Sequence, residues 1–135
     1  NKRFESTIGA LGSRWGIAAE SSFRDALKDT LESRSDVEVL NITEYDADGV
    51  VFGHPDQIEF DIIIKNGQLT ICEIKSSMSK SDMYAFHRKV RFYEQKYNKK
   101  ADMMMVISPM TDTKAKAVAE KFGIKLYSYA DNVLL

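Results

Sequence analysis

The 135-residue chain is 44% hydrophobic and 29% charged, with 7 Gly and 2 Pro, proportions that fit one compact domain and exclude collagen-like, low-complexity and disordered architectures. A chain of this length buries roughly two-thirds of its unfolded surface and needs no covalent staple; Cys72 is the single cysteine, so no internal disulfide forms. With 19 Lys+Arg against 20 Asp+Glu the net charge is -1, and polyanion binding has to come from local patches.

The lead-in at 1–13 has no sustained period and no Met at its start, which suggests the junction of a longer protein; the domain proper is expected over 14–135. Ser13 can cap a helix from Arg14 to Arg34, in which Trp15, Ala18, Ala19, Phe23, Ala26 and Leu27 recur at three- and four-residue spacing. Val37 to Tyr45 predicts a strand of irregular phase, Asp46 to Gly49 a turn, and Val50 to Phe52 a short strand. After Gly53 to Asp56, the segment Gln57 to Lys65 places Ile58, Phe60, Ile62 and Ile64 on one face of a strand. Asn66-Gly67 is a strong hairpin signal, and Leu69 to Ser76 is the returning strand.

Ser79 to Asp82 can cap a long helix to about Asn98, with Met83, Phe86, Val90, Tyr93 and Tyr97 as its buried stripe. Ala101 to Ser108 reads as a strand covered on both faces. Thr111 to Thr113 opens a helix that Gly123 ends, and Ile124 to Tyr129 is a last strand, parallel to the one before it. The expected fold is α/β, a mixed central sheet with helices on both faces. The longest apolar run, Met103 to Ile107, is far below the roughly 20 residues that span a bilayer. No membrane partner is therefore expected, and a cytoplasmic location is.

The hairpin carries the chemistry. Its apolar arms hold Asp61 on one side and Glu73-Ile74-Lys75 on the other, and alternation puts Glu73 and Lys75 on one face. A two-residue loop at Asn66-Gly67 pairs position 61 with 72 and sends Asp61 to the opposite face. A three-residue loop Lys65-Asn66-Gly67 pairs 61 with 71 and makes Asp61 the diagonal neighbour of Glu73. A shared site requires the odd loop. Converging carboxylates suit Mg²⁺ or Mn²⁺, which polarise a phosphodiester, and Lys75 can orient or deprotonate the attacking water or stabilise developing charge.

The order helix, three strands, helix, strand, with Asp61 in one arm and Glu73-Ile74-Lys75 in the next, resembles the PD-(D/E)XK superfamily, the restriction-endonuclease-like fold. Arg14-Trp15-Gly16-Ile17 with Glu20 and Phe23 is similar to a prokaryotic family of such domains, some attached to N-terminal coiled coils. The resemblance implies Asp61 and Glu73 as metal ligands, the Ile74 carbonyl as a backbone ligand, Lys75 as the catalytic lysine and Glu20 as the acid of the first helix. Pro55-Asp56 precedes Asp61 by five residues, so the literal Pro-Asp pair does not coincide with the aspartate inside the strand.

The implied function is metal-dependent hydrolysis of DNA, with a homodimer where both strands of a duplex are cut. Lys80, Arg88 and Lys89 on the long helix are candidate phosphate contacts. The competing readings are a catalytically silent nucleic-acid-binding or assembly module that keeps the fold, and a protein-interaction domain fused to a coiled coil. Glu-x-Lys is a cheap pattern that recurs at Glu94-Gln95-Lys96, and Glu20 with Arg24 also reads as an ordinary i,i+4 surface pair.

Overall fold

The computed structural model describes residues 17–34 and 36–128. Ser13, Trp15, Tyr129 and the side chains of Ala18, Ala19 and Phe23 lie outside the described residues. Helix α1 (Ile17–Glu32) leads into strands β1 (Val37–Asp46), β2 (Asp56–Lys65) and β3 (Gln68–Ile74), followed by the two-residue β4 (Ser77–Met78). Helix α2 (Lys80–Tyr97), β5 (Met103–Ile107), the short β6 (Met110–Thr111), α3 (Thr113–Phe122) and β7 (Lys125–Tyr127) complete the chain.

The main sheet has the order β1-β2-β3-β5-β7. The pairs β1–β2 and β2–β3 are antiparallel, whereas β3–β5 and β5–β7 are parallel, with α2 and α3 as the connections. Each face is covered. On one, Leu27 and Leu31 of α1 pack with Val37, Ile63, Cys72, Ile74, Met105 and Ile107. On the other, Met83, Phe86 and Val90 of α2 and Val118 of α3 pack on Phe60, Ile62, Ile71 and Val106. Each fully buried large apolar side chain contributes about 1.5–3 kcal/mol. Cover on both faces also explains the irregular phase of β1, whose Val39 and Ile42 pack into different cores.

Local chemistry fixes the helix ends. Ser79 and Asp82 form a reciprocal capping box on α2, and Asn98 ends that helix in the left-handed region. Asp112 caps α3, whose end is the left-handed Gly123.

Three local expectations are corrected. Val50 to Phe52 forms no strand: the buried Asp46 carboxylate accepts the Val50 and Val51 N–H groups at 3.0 and 2.9 Å, which folds the segment into a turn and plugs Val51 into the core. Tyr97 leaves the buried stripe of α2 and is 43% exposed, its hydroxyl turned to Glu44. The parallel pair β4–β6 was not expected, since two-residue strands leave no period to read.

Candidate active site

Asn66 and Gly67 are the two loop residues of the β2–β3 hairpin, with φ of 52° and 78°, the positive values that a type I′ turn needs at both central positions. Lys65 therefore pairs with Gln68 and Asp61 with Cys72. This overturns the three-residue loop. Asp61 shares its face with Cys72 and Ile63, while Glu73, one residue on, belongs to the face of Ile71.

The rung Asp61–Cys72 is the last between β2 and β3. Beyond it β2 continues to Asp56 against β1 alone, and β3 continues to Ile74 against β5 alone. The sheet is thus forked, and both acidic positions sit where the fork opens.

Each face of the fork supplies its own counter-charge. Arg24 of α1 donates from Nε to Asp61 Oδ2 at 2.8 Å, with its Nη1 3.9 Å from Glu59. Asn41, directly across β1 from Asp61, donates to Oδ1 at 2.9 Å. On the other face Lys89 of α2 donates to Glu73 Oε1 at 2.7 Å and lies 5.5 Å from the centre of the Phe60 ring. Burial opposes the Arg24 charge, but Asp61 first, and then Glu59 and Glu73, hold its pKa above the usual arginine value. Both carboxylates are within electrostatic reach of Arg24 and of Cys72. Cys72, between them, has its thiol pushed well up, mainly by burial and further by Asp61 and Glu73.

Lys75 follows β3 on the Glu73 side. Its N–H donates to the Ile107 carbonyl at 3.1 Å and its ammonium to Asp82 Oδ1 at 3.1 Å, at the first turn of α2. Desolvation raises the Asp82 pKa, but the Ser79 N–H, Lys75 and the Ser79 hydroxyl outweigh it and hold the group below the ordinary carboxylate value. Glu20, one turn before Arg24 on α1, accepts the Ser76 N–H at 2.9 Å. Glu20 of the first helix therefore reaches the end of β3. Ile74 is buried in the α1-side core.

Of the expected phosphate contacts, Lys80 and Arg88 are exposed, with Arg88 Nε donating to the Val51 carbonyl at 2.8 Å. Lys89 is corrected: its side chain is 13% exposed and turned into the fork, where it neutralises Glu73. Sequence reasoning missed Asn41, Glu59 and Asp82 as members of the cluster, and took Arg24 for a partner of Glu20. The available signal for Arg24 was its place on the stripe of Leu27 and Leu31, three and seven residues on, which aims it at the sheet.

Asp61 and Glu73 are hard oxygen donors, and Mg²⁺ uses one or two protein carboxylates with water and phosphate completing its shell. By donor type the two carboxylates suit such an ion, although the two-residue loop sets them on opposite faces, each beside its own cation. Among the described residues no three His, Cys, Asp or Glu side chains cluster as a metal cage.

Known proteins support the same reading of the fold. The solved structure of EndoMS in apo form superimposes with a TM-score of 0.58 at 16% identity, over 80% of this chain and 44% of that one. A repair endonuclease from Pyrococcus abyssi gives 0.54 at 13% identity, over 83% and 46%. The chain thus spans less than half the length of either. No curated protein matches it. Residues 1–55 match a family described as a protein of unknown function. Residues 56–125, just over half the chain and the part holding Asp61, Glu73 and Lys75, match the family described as PD-(D/E)XK nuclease superfamily. The chain belongs to the PD-(D/E)XK nuclease superfamily.

Proposed function

We propose that the chain is a metal-dependent deoxyribonuclease whose active site is the fork between β2 and β3. The observation that carries this reading is the placement of Asp61, Glu73 and Lys75 at the point where the β2–β3 ladder ends, within the segment that matches the nuclease family.

Asp61 and Glu73 would hold Mg²⁺ or Mn²⁺ together with the Ile74 carbonyl. When bound, the ion supplies Lewis-acid polarisation of the scissile phosphodiester. The chain's own groups do the rest. Arg24 and Lys89 balance the two carboxylates in the free protein, and a cation held there would have to displace them. Lys75, held by Asp82 at 3.1 Å, stays half exposed and presents its ammonium to the attacking water and to the negative charge carried by the phosphoryl oxygens. Glu20 fixes the Ser76 amide at 2.9 Å and so positions the turn that follows Lys75. DNA is the substrate of this reading, and cutting both strands of a duplex takes two copies of the site.

A second reading has its own support. Both carboxylates are already neutralised by Arg24 and Lys89, on opposite faces, as suits a nucleic-acid-binding or assembly module that keeps the fold without the chemistry. Incubation of DNA with the chain in Mg²⁺, in Mn²⁺ and in EDTA separates the two. The nuclease reading expects metal-dependent nicking that falls about 100- to 1,000-fold in Lys75→Met. Equal traces of cleavage in wild type, Lys75→Met and EDTA would leave the silent module.

A further inference from the structure

The segment between β1 and β2 lies at the same end of the sheet as the fork, because β1 ends there, β2 begins there and β3 ends there. Its inner side is fastened at several points. The fully buried Asp46 holds the Val50 and Val51 amides, Gly53 N–H donates to the Gly49 carbonyl at 3.0 Å, and Arg88 clamps the Val51 carbonyl at 2.8 Å. Arg88 is the residue next to Lys89, which reaches Glu73 in the fork. The same turn of α2 thus holds the segment through Arg88 and Glu73 through Lys89.

The outer side of the same segment is apolar and aromatic. Phe52 is 49% and Val50 43% exposed, and the Phe52 and His54 rings stack at 6.3 Å with an interplanar angle of 24°. A fixed turn that exposes a Phe has no account in core packing, since Val51 alone fills the interior. Between this segment and α2 runs a cleft of about 720 Å³ lined by Val50, His87, Arg88, Arg91, Glu94 and Gln95. Two arginines against one carboxylate give it a positive balance, and Glu94 is engaged with the Ala101 N–H.

Phe52 does not itself line the cleft but follows Val50, which does, by two positions; an exposed ring close to cationic side chains is the chemistry that holds single-stranded nucleic acid, with bases on the ring and phosphates along the cations. We propose that Phe52, backed by His54, is a stacking platform for an unpaired base, with Arg88 and Arg91 binding the adjoining phosphates, so that the site is fed from single-stranded or locally opened DNA. Base pairs in a regular duplex keep their faces covered and cannot occupy it. This deepens the nuclease reading by naming the form of the substrate, but the platform needs no metal.

The test is binding in EDTA of a single-stranded oligonucleotide carrying 2-aminopurine, beside the same sequence as a duplex, to wild type, Phe52→Ala, Phe52→Trp and Arg91→Gln. Single-strand preference is expected, with the base's fluorescence quenched on binding. Phe52→Ala should weaken single-strand binding about 5- to 100-fold and abolish the quench. Phe52→Trp should keep both, and Arg91→Gln should weaken binding and flatten its salt dependence. Unchanged binding in Phe52→Ala, an equal loss for duplex and single strand, or no binding by wild type would each overturn the platform. Metal-dependent cleavage scored on the same preparations reports separately on the nuclease reading.

Discussion

Asp61 and Glu73 stand at adjoining positions of one hairpin, yet Asp61 accepts from Arg24 on the α1 face and Glu73 from Lys89 on the α2 face. A divalent ion at the fork has to compete with both cations. Arg24→Met removes one competitor and leaves Asp61, 8% exposed, with Asn41 alone. Stability should fall by about 2 kcal/mol, less than for a fully buried pair because Arg24 is partly solvated. Mg²⁺ affinity should rise, and the stability loss should shrink with added Mg²⁺. Urea melts with and without the ion, together with calorimetry, measure both; weaker Mg²⁺ binding in the variant would place Arg24 among the groups that build the site.

Asp82 links the α2 cap to Lys75. Its folded pKa lies below the ordinary 3.8, so its ionised form stabilises the fold above that value, and the contribution is lost as pH falls through the lowered one. Asp82→Asn should cost about 1 kcal/mol at neutral pH, discounted for partial exposure, and less at acid pH. Urea midpoints from pH 6 to pH 2.5 should converge at the acid end; parallel curves would remove Asp82 from the pH response.

The Cys72 thiol is buried and its pKa is raised, first by desolvation and then by the carboxylates on either side. It should therefore be silent to a thiol reagent at pH 8 in the native protein and react at the rate of unfolding in urea. Rapid native labelling would mean that the hairpin opens locally at the fork.

Two glycines distinguish a clash from strain. Gly49 has φ of +66° and a Cβ there would lie 2.8 Å from the His54 backbone nitrogen, whereas Gly67 has φ of +78° and open space. Gly67→Ala should cost about 1 kcal/mol and Gly49→Ala at least about 2 kcal/mol, read as shifts in the urea midpoint. Equal costs would show that the β1–β2 segment yields to admit the methyl group.

Periodicity made the framework legible in the sequence. Leu27 of the α1 stripe, the α2 stripe from Met83 to Tyr93, the alternation in β2, the Asn66-Gly67 turn and the capping residues Ser79, Asp112 and Gly123 each rest on a local physical rule, and each holds in the fold. The site was legible as residue types but not as a geometry. Asn66-Gly67 favours a two-residue loop on local grounds, and the structure follows that preference rather than the register that a shared face for Asp61 and Glu73 demands. Both acids lie where the β2–β3 ladder ends, a fork that comes from unequal strand pairing across three chain segments and that no local pattern contains. Arg24, Asn41 and Lys89 escaped for the same reason, since their roles depend on which strand lies beneath them. Val51 was misread because a three-residue apolar run looks like a strand unless the Asp46 carboxylate is seen to claim its amides.

The central claim is that the fork binds a divalent ion through Glu73 and uses it to cut DNA. It is tested most directly by Mn²⁺ titration calorimetry on wild type and Glu73→Ala, followed by cleavage of a DNA panel in the same buffer. The account predicts one saturable site in wild type, no measurable site in the variant, and nicking that needs both the ion and Glu73. Binding that survives Glu73→Ala, or a folded wild type that neither binds Mn²⁺ nor nicks DNA, would contradict it.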